Sequence, residues 1–301
     1  MIGGLRAAGV CIVLALARPA VADPAPLPAP LAALELSPAE VKLWHEGLAL
    51  ETRESFAASN QRYEALANAH PDSDFLAWHV ARNHWRRGER LPIDAKEERR
   101  AAFAAAREWA ERSLARDPRC GECVFWTVVS IGRLATTQGV FTSARVAEPM
   151  ADLFERGIAL QPTSRDNEWN TTLGNLYFAA AAFYRVLPEG AWSEALIGVR
   201  GDKDRALDYI DRAIAISPMR VDYQVERGVV LTCIGVERND ASALDRGRRA
   251  FEGARKMPHL LGTDAVDQQS AELLLAKPEL ACGYQRDGFI DANRVKQADA
   301  H

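Results

Sequence analysis

The 301-residue chain has no hydrophobic run long enough to cross a membrane, which takes about 20 apolar residues. It has no glycine-rich phosphate loop and no Gly-x-Ser-x-Gly turn. Val, Ile, Thr and aromatic residues rarely alternate with polar ones, and no hairpin dipeptide joins such runs, so a sheet is excluded as the main architecture. Charge of one sign is missing too: 37 Lys+Arg stand against 41 Asp+Glu. A balance of this kind leaves nothing to hold nucleic acid or an anionic membrane. The basic runs "RNHWRRGER" and "KEERRAA" are interleaved with acids and read as solvated faces. His79 and His84 are five residues apart, off the four-residue spacing of a helical metal pair, and no neighbouring carboxylate completes a site. No grouping of nucleophile, base and oxyanion donor is visible, so neither an enzyme nor a cofactor nor a metal is expected.

What is present begins with the N-terminus. One charge at Arg6 precedes "AAGVCIVLALA", and Ala20-Val21-Ala22 ends the segment. These are the charged region, the apolar core and the small-residue cleavage site of an export signal. Cys11 lies too early in the apolar run to be a lipid attachment site. Residues 1–22 are therefore expected to be a cleaved signal, which places the rest of the chain in the periplasm with 35 Lys+Arg against 41 Asp+Glu. Residues 23–38, "DPAPLPAPLAALELSP", read as an extended Pro/Ala-rich spacer. Ser37-Pro38 supplies a helix cap and a first-turn proline, so a helical body is expected over 39–290, followed by a tail at 291–301.

Within the body the punctuation is periodic. Ser59, Tyr63, Leu66 and Pro71 recur in kind as Ala106, Ala110, Ser113 and Pro118, as Met150, Phe154, Gly157 and Pro162, and as Ala206, Ile210, Ala213 and Pro218. A fifth copy reads Gly247, Phe251 and Ala254, with Pro258 one residue early. Residues at i, i+4 and i+7 share one helical face, and a proline five residues later ends the helix. Each copy is thus the second helix of a pair. The segments after the prolines, from "FLAWHVARNHW" to "AVDQQSAELLLA", supply the next first helix. The expected fold is all-α, an α-solenoid of irregular helix-turn-helix repeats.

These residues carry a resemblance. The small, apolar, small, Pro spacing, together with Leu173-Gly174 and Tyr177, resembles the tetratricopeptide repeat, although the prolines stand 47, 44, 56 and 40 residues apart against about 34 in that repeat. The stretch from Leu176 to Pro218 resembles the periplasmic tetratricopeptide component associated with TRAP transporters and, more distantly, the regulator of microtubule dynamics family. The resemblance implies a protein-binding scaffold, accessory to solute uptake, whose partner is an extracytoplasmic solute-binding protein or a transporter subunit. Self-association is compatible with it.

Two residue sets are candidate sites. Cys120-Gly-Glu-Cys123 opens a helix, where the dipole lowers a thiol pKa, but it lacks the preceding strand of the familiar redox setting. The histidine of a c-type haem motif is replaced by Val124. The readings are a disulfide, a redox-active pair or a metal site; the favoured pairing is Cys120 with Cys123 and Cys233 with Cys282, the latter tying a C-terminal cap to the preceding repeat. Trp169, Tyr177, Phe178, Phe183, Tyr184 and Trp192 either line a groove on the first-helix face, open to a partner chain or a small apolar ligand, or form repeat core. Asn170-Thr171-Thr172 matches a glycosylation sequon but is expected inside a helix, and Arg200-Gly201-Asp202 is expected to end a loop in a helix cap.

Overall fold

The computed structural model describes residues 26–138 and 140–286. The expected signal at 1–22 and the tail at 291–301 lie outside the described residues. The second helices are α3 (Phe56–Ala69), α5 (Lys96–Arg116), α7 (Val140–Ala159), α10 (Lys203–Ile216) and α12 (Ala241–Ala254). All the helical positions of the five sequence copies, from Ser59 to Ala254, are buried. The first helices are α2 (Pro38–Thr52), α4 (Asp74–Arg90), α6 (Gly121–Gln138), α8 (Thr172–Val186), α11 (Val221–Arg238) and α13 (Asp264–Ala276). Consecutive helices pack as pairs, and each pair packs on the next, the arrangement the periodicity predicts.

The spacing within a pair is set by glycine. A Cβ on Gly47 of α2 would stand 2.5 Å from the ring of Tyr63 in α3. One on Gly88 of α4 would meet Phe103 of α5 at 2.6 Å, and one on Gly228 of α11 would meet Phe251 of α12 at 2.5 Å. In three pairs, therefore, a ring from the second helix seats against bare backbone of the first. Distances under 3 Å leave no room for a methyl group without moving the ring.

The long interval between Pro162 and Pro218 holds two insertions. One is a small antiparallel ribbon, β1 (Arg165–Asn167) with β2 (Asn170–Thr171), between α7 and α8. The other is α9 (Ala191–Ile197), between α8 and α10. Gly198, with φ +77°, ends α9, and Asp202 caps α10 by accepting the Arg205 N–H at 2.8 Å, as expected for the Arg200-Gly201-Asp202 loop. The sequon departs from expectation: Asn170 and Thr171 belong to the ribbon, and only Thr172 is helical.

The described part of residues 23–38 is not a free spacer. The helix α1 (Ala29–Ala32) places Leu31 at 0% exposure against Trp44, Tyr63 and Leu76, with Leu27, Leu34 and Leu36 packed beside it. Leu27, Leu31 and Leu34 recur every three to four residues and, with Leu36, cover the end of the first pair, which would otherwise expose its apolar face. Ser37 then forms the expected cap reciprocally: its N–H donates to Glu40 at 2.8 Å and its Oγ accepts the Glu40 N–H at 3.4 Å. At the other end the 3-10 helix (Pro278–Gly283) and Tyr284 close the core on Val221, Val225, Phe251 and Leu274.

Two outcomes follow. Gly228→Ala is expected to lower stability by about 1–3 kcal/mol in urea unfolding, because the Phe251 ring has to move; Gly253→Ala, with nothing within 4 Å, is expected to be neutral or stabilising by up to about 1 kcal/mol. Hydrogen bonds from Ser37 and the contact with His70 hold the Glu40 carboxyl down at about 2. A carboxyl depressed in the folded state contributes stability above its ordinary value of 4.5, and this is lost as the pH falls toward 2. The difference in Tm between the parent chain and Glu40→Gln, measured against pH, should therefore be present at neutrality and close over that window.

Candidate partner-binding face

The ribbon lies as a strap across the first helices. Its near end is Asp166, which accepts from Arg82 Nη1 at 3.2 Å and from Arg86 Nη2 at 3.4 Å, both on α4. Arg82 Nη2 also donates to Glu51 of α2 at 2.8 Å, and Arg86 pairs with the same carboxylate. Its far end is Asn170, whose Oδ1 accepts from Arg220 Nη1 at 3.0 Å and from Asn175 at 2.7 Å. Thr171 meets Ser217 at 3.3 Å. A few residues thus connect the second helix pair with the fifth. Arg165 to Glu168 remain exposed along the top, and Trp169 is half-buried.

Beyond the strap the polar seam continues. Arg220 holds Asp222 with two bonds, 2.9 and 2.7 Å, and Arg286 reaches Asp222 at 3.4 Å and Asp267 at 2.9 Å. Burial works to raise both carboxyls. At Asp222, with 2% exposure, the two guanidiniums outweigh burial and hold the carboxyl below its usual range. At Asp267 burial prevails and the carboxyl is pushed up. Phe178 stacks on Tyr223 with centroids 5.1 Å apart and the planes at 23°, and the Arg286 guanidinium stands 5.8 Å from the Phe178 ring.

The run "RNHWRRGER" is therefore not a solvated face throughout. Arg82 is buried, and so are His79 and His84. The guanidinium of Arg82 only donates, so His79 Nε2, 2.8 Å away, accepts, and the ring is neutral. Burial, with Arg82 and Arg86 nearby, drives its pKa well below the ordinary value. His84 Nε2 lies 2.6 Å from Glu64, but burial still lowers its pKa. Both rings are held by protein side chains. The signal for this was in the sequence: His79, Arg82 and Arg86 stand at i, i+3 and i+7 on one helical face.

The six aromatics do not form one site. Tyr177, Phe183 and Tyr184 are buried in the central core, where Phe183 meets Phe154 at 5.3 Å and Tyr177 meets Tyr209 at 5.6 Å. The Tyr184 and Tyr209 hydroxyls bond Glu155 at 3.2 and 2.9 Å, and Arg205 lies 4.2 Å over the Tyr184 ring. Trp169 lies in the turn of the strap itself, between β1 and β2, and Phe178 stacks on Tyr223. Trp192 is 60% exposed on α9, beside Leu196 at 76%.

The cysteines meet as the favoured pairing has them. The sulfurs of Cys120 and Cys123 lie at bonding distance, with Cα atoms 5.2 Å apart, and those of Cys233 and Cys282 likewise, with Cα atoms 4.8 Å apart. Cys123, Cys233 and Cys282 are buried, whereas Cys120 is partly exposed at the start of α6. Asp74 completes one three-donor group with Cys120 and Cys123, and Glu237 another with Cys233 and Cys282. Each group would offer a metal two thiolates only if its cysteines were reduced.

With this geometry in place, the comparisons locate the chain. The family model described as regulator of microtubule dynamics protein 1-3 matches residues 33–196, more than half of the sequence. The comparison with curated proteins found no match. Among solved structures, the chain is similar to a thermophilic TPR protein of Thermus thermophilus, with TM-score 0.54 and 15% identity over 78% of this chain and 100% of that one. At that identity the likeness concerns the fold alone.

The two ends of the seam should respond differently to neutralisation. Asp222→Asn leaves the buried Arg220 without its counter-charge and is expected to cost about 3–5 kcal/mol in urea unfolding. Asp166→Asn, whose side chain is 38% exposed, is expected to cost about 1 kcal/mol or less while speeding amide hydrogen exchange across 165–171.

Proposed function

Because the chain belongs to the regulator of microtubule dynamics protein 1-3 family, we propose that it is a helical-repeat scaffold that binds another polypeptide along its first-helix face, beside and over the strap. The observation that carries this reading is the strap itself. Arg165 to Glu168 are exposed on top of a ribbon anchored at both ends, which gives a partner a rigid polar ridge on the face that helix-pair solenoids use for binding. Partly exposed Arg86, Asp166 and Arg286 line it with charges of both signs, which suits an extended polar segment better than a purely apolar one.

The setting we propose is the periplasm, on the strength of the charged, apolar and small-residue succession in residues 1–22. There the partner is an extracytoplasmic solute-binding protein or a transporter subunit of a TRAP-type uptake system, and the chain is its accessory component. From the family we take the scaffold and not the microtubule of its name, since the leader-like start favours export. In that oxidising compartment both cysteine pairs are disulfides, and Cys233–Cys282 closes the C-terminal cap. A small apolar ligand among the six aromatics is a weaker reading, because Tyr177, Phe183 and Tyr184 fill the core.

The test is a cross-linked capture of the tagged chain from the exported fraction of its host, read by mass spectrometry, with Asp166→Arg in parallel. A solute-binding protein or transporter subunit is expected with the parent chain and should fall several-fold with the variant. Recovery of the chain only from the cytosol, or capture that the variant leaves unchanged, would overturn the proposal.

A further inference from the structure

The two cysteine pairs differ in a way that a shared structural role does not explain. Cys233 and Cys282 are 49 residues apart, and both are buried. Cys120 and Cys123 are three residues apart, one just before α6 and one in its first turn, so a bridge between them closes a minimal loop and constrains the unfolded chain least. Cys120 is partly exposed, whereas Cys123 is buried.

The surroundings also treat the two sulfurs differently. Cys120 sits where the cap of α6 belongs, and its Sγ accepts the Cys123 backbone N–H at 3.0 Å. That bond, with the partial positive charge of the helix start, favours a thiolate at Cys120. Cys123 Sγ lies 3.9 Å from the Asp74 carboxylate, which comes from the start of α4, and Cys123 has no exposed surface. A carboxylate and burial together oppose a second negative charge there and keep the proton on Cys123. Glu122, at the same 3.9 Å from Cys120 Sγ, opposes a thiolate there as Asp74 does at Cys123, so what separates the two sulfurs is the Cys123 N–H bond, the helix start and the partial exposure of Cys120.

From this asymmetry we infer that Cys120 and Cys123 form a thiol–disulfide exchange site that accepts electrons from a dithiol on a partner polypeptide, with Cys120 as the attacked sulfur. A thiolate of the dithiol attacks Cys120 Sγ, a new S–S bond forms, and the Cys120–Cys123 bond breaks. Cys123 leaves and takes up a proton, which the Asp74 charge holds on it. The second thiol of the partner, deprotonated to solvent, then attacks its own sulfur in the mixed disulfide, and Cys120 leaves as a thiolate bonded to the Cys123 N–H. Two electrons have passed from the dithiol to the pair; one proton rests on Cys123 and one is in solvent. The inference stands apart from the scaffold reading, since a partner can dock without exchanging.

The experiment incubates the folded full chain with dithiothreitol as the dithiol, quenches by alkylation and reads each cysteine by peptide mass spectrometry. Cys120–Cys123 is expected to be reduced in the native state under conditions that leave Cys233–Cys282 intact. In the single variants Cys123→Ser and Cys120→Ser, reduced and then exposed to oxidised glutathione, the mixed disulfide is expected to form several-fold faster on Cys120, which is partly exposed at the helix start, than on buried Cys123. Adding Asp74→Asn should narrow the ratio, which burial alone would not do. Three results would overturn the inference: reduction of both pairs only on unfolding, equal rates at the two positions, or a reduced pair that takes up zinc stoichiometrically and then no longer exchanges.

Discussion

The close approach of glycine in a first helix to a ring in the second is the contact on which the rest of this molecule depends. A single helix pair cannot bury its own apolar face, so the structure exists only if successive pairs stack at a repeatable distance. Gly47 under Tyr63, Gly88 under Phe103 and Gly228 under Phe251 fix the separation of the two helices within three pairs, so that those pairs present alike faces to their neighbours. Among the described residues the stacked faces then form three larger clusters of core along the chain, and the ends are closed by Leu31 on one side and Tyr284 on the other.

Once the first helices stand side by side, their common face can carry what no single helix could. Arg82 meets Asp166 across 84 residues of sequence, and Arg220 meets Asn170 across 50. The insertions that stretch one repeat supply the ribbon that makes both contacts. Charges buried along this seam are tolerable because each is met: Arg220 by Asp222, Arg82 by Glu51, Arg185 by Glu226 at 2.6 Å. A seam of satisfied ions gives the face its shape without making it sticky, which suits a surface meant for a chosen partner.

The helical-repeat architecture was legible in the sequence because small and apolar residues at i, i+4 and i+7, followed by proline, are a local pattern. Every helical position of that pattern proved buried. What local pattern cannot carry is which charges meet. Arg82 and Arg86 looked solvated beside Glu89, and their acceptors lie in α2 and in the ribbon. The ribbon itself has two or three residues per strand and polar side chains, so it has no alternation to betray it. Leu27, Leu31 and Leu34 are spaced for a helical face, but the prolines among them suggested extension. The aromatics were ambiguous for a physical reason: helical spacing is the same for a ring in core and a ring in a groove, and only the neighbouring pair decides which it becomes.

The central claim is that partners dock on the first-helix face at the strap. It is tested most directly by placing a photo-crosslinking residue at Asn167, exposed on the strap, or at Glu111, exposed on the second helix α5, and irradiating the chain in its host. The account predicts cross-links to one protein partner from position 167 and none from position 111. Cross-links from 111 with none from 167 would contradict it and move the binding surface to the outer, second-helix side.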